Sequence, residues 1–134
     1  MKTFIVPDEI FKTEILFVVG CSHKKFFQHL KKEYDVETDK QEVDSFIGTT
    51  GTTFKLEGEF NFRVVWIRHP KHVGTAVHEI THMVLRILDD KGIPSNVKDN
   101  QDETVAYLMD FYTRYYFQNV KLLKDQKNSQ LKIY

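Results

Sequence analysis

Between Gly74 and Asp90 the sequence leaves the backbone little choice. Val77, Ile80, Val84, Ile87 and Leu88 recur three and four residues apart, which is the period of one apolar stripe along an α-helix. Pro70 and Gly74 break the run before it, and Thr75 is placed to cap the helix start. His78, His82 and Leu85 fall on a neighbouring stripe. The predicted helix therefore packs with one side and presents two imidazoles on another.

That second side reads His78-Glu79-Ile80-Thr81-His82. Histidines four residues apart on a helix stand one turn apart, so both rings can reach one metal ion. Glu79 projects beside such an ion, where its carboxylate can take a proton from an activated water. Two ligands from one rigid element leave a tetrahedral zinc in need of a third from elsewhere, with the fourth position open for chemistry. Glu103 is the candidate third ligand and Asp102 the fallback. The residues from His82 to Glu103 are enough to finish one helix, turn through the loop marked by Gly92, Pro94, Ser95, Asn96 and Asn100, and start a second helix running back. Asn100 followed by Glu103 also has the form of a capping box. Glu103 thus carries two readings, metal ligand and helix cap.

The rest of the chain supplies a frame. The N-terminal stretch is read as running into a turn at Pro7. Residues 14–20 form a short apolar run rich in β-branched and aromatic residues that ends on Gly20, which suits a buried strand. Ser22 caps a predicted amphipathic helix from His23 to Tyr34, with Phe26, Phe27, Leu30 and Tyr34 on one side and lysines on the other. Residues 35–45 lack a clear period and read as loop with short structure at most. Segments 50–57 and 60–68 read as two strands joined near Gly58 in a hairpin. The Thr- and Gly-rich text there is no phosphate loop, because no Gly-Lys-Ser/Thr ending or helix follows. A last helix is predicted from Gln101 through Phe117, with Val105, Leu108, Met109, Tyr112 and Tyr116 on its apolar face. The tail, 118–134, extends that helix, frays or meets a partner. The expected fold class is α+β: a small, mostly antiparallel sheet, one amphipathic helix packed on it, the histidine-bearing helix and a following glutamate-bearing helix.

Composition excludes some functions. The 134 residues fit one domain, 1–134, and 41% hydrophobic residues suffice for a core. With 19 basic and 19 acidic residues the formal charge is zero, which gives no overall reason to expect nucleic acid or an anionic membrane as partner. Cys21 is the single cysteine, so no intramolecular disulfide forms. Pro7, Asp8 and Glu9 interrupt the N-terminal apolar run before it can serve as a signal core, and no stretch has the length of a membrane span. A cytoplasmic protein is the expectation.

His78-Glu79-x-x-His82 followed by Glu103-x-x-Ala106 resembles the gluzincin branch of the zincin metallopeptidases. The small size and the Glu-x-x-Ala form are similar to minimal gluzincins and to the ImmA/IrrE-type peptidases of bacterial mobile elements and phages. The resemblance covers about residues 60–117. It implies one Zn2+ held by His78, His82 and Glu103, hydrolysis of a peptide or protein substrate with Glu79 as general base, and a substrate strand laid along a sheet edge, expected near Phe62 to Arg68. An oxyanion donor is sought among Tyr107, His69 and His72. Tyr107 stands where many gluzincins have an aspartate, and Asp110, one turn on, is the candidate to orient a ligand histidine instead. Arg114 is a candidate contact for a substrate carboxylate or a solvated charge. The alternative is a zincin-fold binding or regulatory module without turnover, because so small a chain has little room for a second lobe.

Overall fold

A computed structural model describes residues 1–56, 62–95 and 102–121. The elements are β1 (Lys2–Asp8), β2 (Thr13–Val19), α1 (His23–Tyr34), α2 (Lys40–Asp44), β3 (Gly51–Lys55), β4 (Phe62–Ile67), α3 (Val73–Asp90) and α4 (Glu103–Asn119). This is the expected α+β class. The chain divides into two compact units, Met1–Glu79 and Ile80–Tyr134, and the division falls within the α3 segment of the sequence.

The first unit holds a four-stranded sheet in the order β1-β2-β4-β3. Its two outer pairings, β1 with β2 and β3 with β4, are antiparallel, while the central pair β2 and β4 is parallel. The parallel pair explains the sequence of β2. Ile15, Leu16, Phe17, Val18 and Val19 are all buried, so both faces of the strand are covered and the text runs apolar without alternation. On one face Leu16, Val18, Val64 and Trp66 join Phe26, Phe27 and Leu30 of α1 in a single cluster. Trp66 anchors it: its ring stacks on Phe26 with centroids 5.6 Å apart and 11° between planes, and its Nε1–H donates to the Cys21 carbonyl at 3.0 Å. A buried indole needs such a partner, or its N–H would be left unsatisfied. Burial also pushes the Cys21 thiol pKa up.

Two expectations are corrected here. The N-terminal residues form strand β1 and do not end in a turn at Pro7, which pairs with Glu14 inside the strand. Proline lacks a ladder donor, and an outermost strand is where a sheet tolerates that loss. The turn falls later, where Asp8 accepts from the Ile10 and Phe11 amides at 3.0 and 3.3 Å. The second correction concerns the sheet edge. Strand β4 has a partner on each side, so residues Phe62 to Arg68 are not an edge, and the outer strand beyond them is β3. The expected hairpin pairing of β3 with β4 holds, while its turn near Gly58 lies outside the described residues. Residues 35–45, read as loop with short structure at most, contain the short helix α2, capped by Asp39 accepting from the Glu42 amide at 2.6 Å.

In the second unit, α3 continues with Ile80, Met83, Val84, Ile87 and Leu88 buried. Gly92 stops it in a left-handed conformation, φ 67°, with its own N–H on the Asp89 carbonyl and that of Ile93 on Leu88. Those two bonds make a Schellman cap, for which glycine is the preferred residue. Helix α4 buries Leu108, Tyr112 and Tyr116, four residues apart each time, and leaves Val105 and Met109 half-buried. It runs two residues beyond the predicted end, and the tail from 122 onward lies outside the described residues. Among the described residues no helix is long and apolar enough to cross a membrane.

Candidate metal centre

Helix α3 starts earlier than Thr75. It begins at Val73, and His72 supplies the cap. The His72 Nδ1 accepts from the Thr75 amide at 3.2 Å and lies 2.8 Å from the Thr75 hydroxyl. An imidazole nitrogen thus takes the place of the usual cap oxygen on one of the orphan amides of the first turn. This engagement gives Nδ1 of His72 a structural task and leaves its Nε2 as the ring nitrogen that can donate. His69 is exposed in the turn before the helix, where its carbonyl accepts from the His72 amide at 3.0 Å.

His78 and His82 both lie on α3 and both are exposed, whereas Glu79 between them is buried at 7%. The Glu79 carboxylate sits 3.9 Å from Nε2 of His78, whose own side chain is 66% exposed. The reason for Glu79's burial is visible at the start of β3. A Cβ placed on Gly51 would come within 2.8 Å of the Glu79 Cγ and 3.0 Å of the Trp66 carbonyl oxygen. Only a residue without a side chain lets the glutamate lie against the sheet at that point. Sequence reasoning missed Gly51 as part of the site. The signal was present in its position, a lone glycine at the start of a threonine-rich strand.

Val77, expected in the packed stripe, is instead 37% exposed, as are Val73 at 53% and Leu85 at 42%. Ala76 and Met83 are buried in its place. The packed face is thus rotated relative to the predicted one, and valines flank the histidines on the open face.

Glu103 is the first residue of α4 and is exposed. Asp102 is the cap residue of that helix, without a side-chain cap bond, and Asn100 lies outside the described residues. A capping box places its glutamate at the third helical position, so Glu103 at the first does not have that register. Tyr107 is 52% exposed on α4. Asp110 accepts from one guanidinium nitrogen of Arg114 at 2.7 and 2.9 Å. That pair engages the carboxylate expected to orient a histidine and the arginine offered to a substrate.

The donor types suit zinc: two imidazoles one turn apart and a carboxylate on the next helix. His78 and Glu79 belong to the first unit, and His82 and Glu103 to the second. Among the described residues no group of three or more His, Cys, Asp or Glu side chains is gathered so as to hold a metal ion. No family model matches the chain, and no curated protein or solved structure does so.

Proposed function

We propose that this chain is a small zinc-dependent peptide hydrolase in which His78, His82 and Glu103 are the metal ligands and Glu79 is the general base. The observation that carries the reading is the contrast along one helix turn: two exposed imidazoles flank a buried carboxylate that lies beside one of them. A glutamate is rarely buried unless it is paired, and here an imidazole stands 3.9 Å from the carboxylate. Zinc held by these donors supplies Lewis acidity toward a carbonyl and toward water.

The chain's own groups have the following parts. Glu79 takes the proton of the attacking water on its carboxylate and returns it to the leaving amine. Tyr107, His69 or His72 donates to the developing oxyanion. An extended peptide pairs with the outer edge of β3, where backbone groups facing away from β4 can add a strand. Glu79 touches the start of that strand at Gly51, so a peptide on this edge passes the base. The edge used is β3, in place of the expected Phe62 to Arg68.

A second reading is a non-catalytic binding or regulatory module, favoured by the absence of a gathered three-donor set among the described residues. Glu79→Gln separates the two. The variant is expected to keep its zinc while peptide hydrolysis falls by about 10²- to 10⁴-fold. Hydrolysis unchanged in the variant overturns the role of Glu79, and a wild type that carries zinc but cleaves no member of a broad peptide library establishes the binding module.

A further inference from the structure

We propose that the groove between α1 and α2 binds a small organic anion made of a compact apolar body and a carboxylate or phosphate head. The groove has a volume of about 360 Å³, at the lower end of small-molecule sites. No residue of α3 or α4 lines it.

Its floor is apolar and fixed. Phe27 is buried and packs edge-on against Phe46 with centroids 5.1 Å apart, and Val43 of α2 lies against the same core cluster. Around this floor stand Lys24, Gln28 and Lys31 of α1, and Thr38 and Lys40 from the approach to α2 and its first residue. Lys24, Phe27, Gln28 and Lys31 are spaced i, i+3, i+4 and i+7, so one helix face brings them to one opening.

The charge is local. The chain carries 19 basic and 19 acidic residues, yet the groove is lined by three lysines against the single carboxylate of Asp44. Lys31 has a solvent-exposed partner in Glu37 at 3.6 Å, a contact weak enough to yield to a ligand. Lys24 and Lys40 make no ion pair among the described residues, and the Gln28 amide and Thr38 hydroxyl make no hydrogen bond there. Two unpaired ammonium groups with two neutral donors over an aromatic floor complement an anion whose other end is apolar. Two lysines also suit a carboxylate or phosphate better than a neutral ligand, because only an anion gains charge-assisted hydrogen bonds from them.

The test is a titration of the ¹⁵N-labelled full chain with phenyl phosphate and phenylacetate, followed by amide shifts. Inorganic phosphate and 2-phenylethanol serve as head-only and body-only probes. At least one of the two amphipathic anions is expected to saturate with a Kd of about 1 mM or tighter, with shifts confined to residues 24–31 and 38–44. Lys24→Ala/Lys40→Ala is expected to weaken binding about tenfold or more, as is raising the salt to about 0.5 M. Both lysines are exposed, and the unchanged remainder of the spectrum reports that the variant is folded. No saturation by either anion up to about 10 mM overturns the proposal. So does equal binding of 2-phenylethanol or inorganic phosphate, or binding that survives the double substitution.

Discussion

At the residue scale the most constrained position is Gly51. Its backbone is not left-handed, so the need for glycine is one of space alone. The Glu79 Cγ lies in the middle of a buried side chain and the Trp66 carbonyl belongs to the paired strand β4, so a new methyl group at 2.8 and 3.0 Å from them forces a shift. Gly51→Ala is expected to lower stability by about 1–3 kcal/mol, measured by urea unfolding, and to shift the Glu79 side chain. An unchanged midpoint would show that the strand start yields more readily than its pairing implies. Tyr116 illustrates a different constraint: burial in the second unit pushes its phenol pKa far above the ordinary value. With Tyr112 it falls in a helical stripe that reads from sequence as core, and its burial fits that reading.

At the element scale the start of α3 is the instructive case. Thr75 is the expected cap by residue type, yet the helix starts before it and His72 takes the role. Residue preferences rank histidine low at helix starts, so the local signal pointed elsewhere. His72→Ala is expected to cost about 0.5–2 kcal/mol in thermal unfolding, and His72→Asn, which restores an acceptor, most of that back. Equal losses for the two variants would refute the cap. The end of α3 was more legible, since Gly92 marks a stop on its own. Helix α1 matched in both limits, because its cap Ser22 and its apolar spacing are local features. Strand β1 was hidden by Pro7, a residue that reads as a breaker until the strand is known to lie outermost.

At the scale of the whole molecule the zinc proposal makes a claim that does not depend on turnover. A ligand that binds only the folded chain stabilises it by mass action, by about 2.7 kcal/mol at a concentration 100 times its Kd. For a chain of this length that corresponds to a rise in Tm of about 10 °C. The rise is expected for wild type with zinc and is expected to vanish in His78→Ala/His82→Ala. A wild-type Tm indifferent to zinc would count against all three ligands at once, whatever the outcome with Glu79→Gln.

The amino-acid sequence alone determined the α+β class, helix α1 and the helical register that sets His78 and His82 one turn apart with Glu79 between them, because each of these depends on spacing within one element. Tertiary structure decided which strand is outermost, since edge status depends on pairing between segments distant in the chain: β4, adjacent to the motif helix in sequence, is interior, and β3 holds the edge. It also decided that Glu79 is the buried member of its motif, through a glycine 28 residues earlier in the chain that leaves room for it. Close approach between such segments follows from packing, and no period in the sequence encodes it.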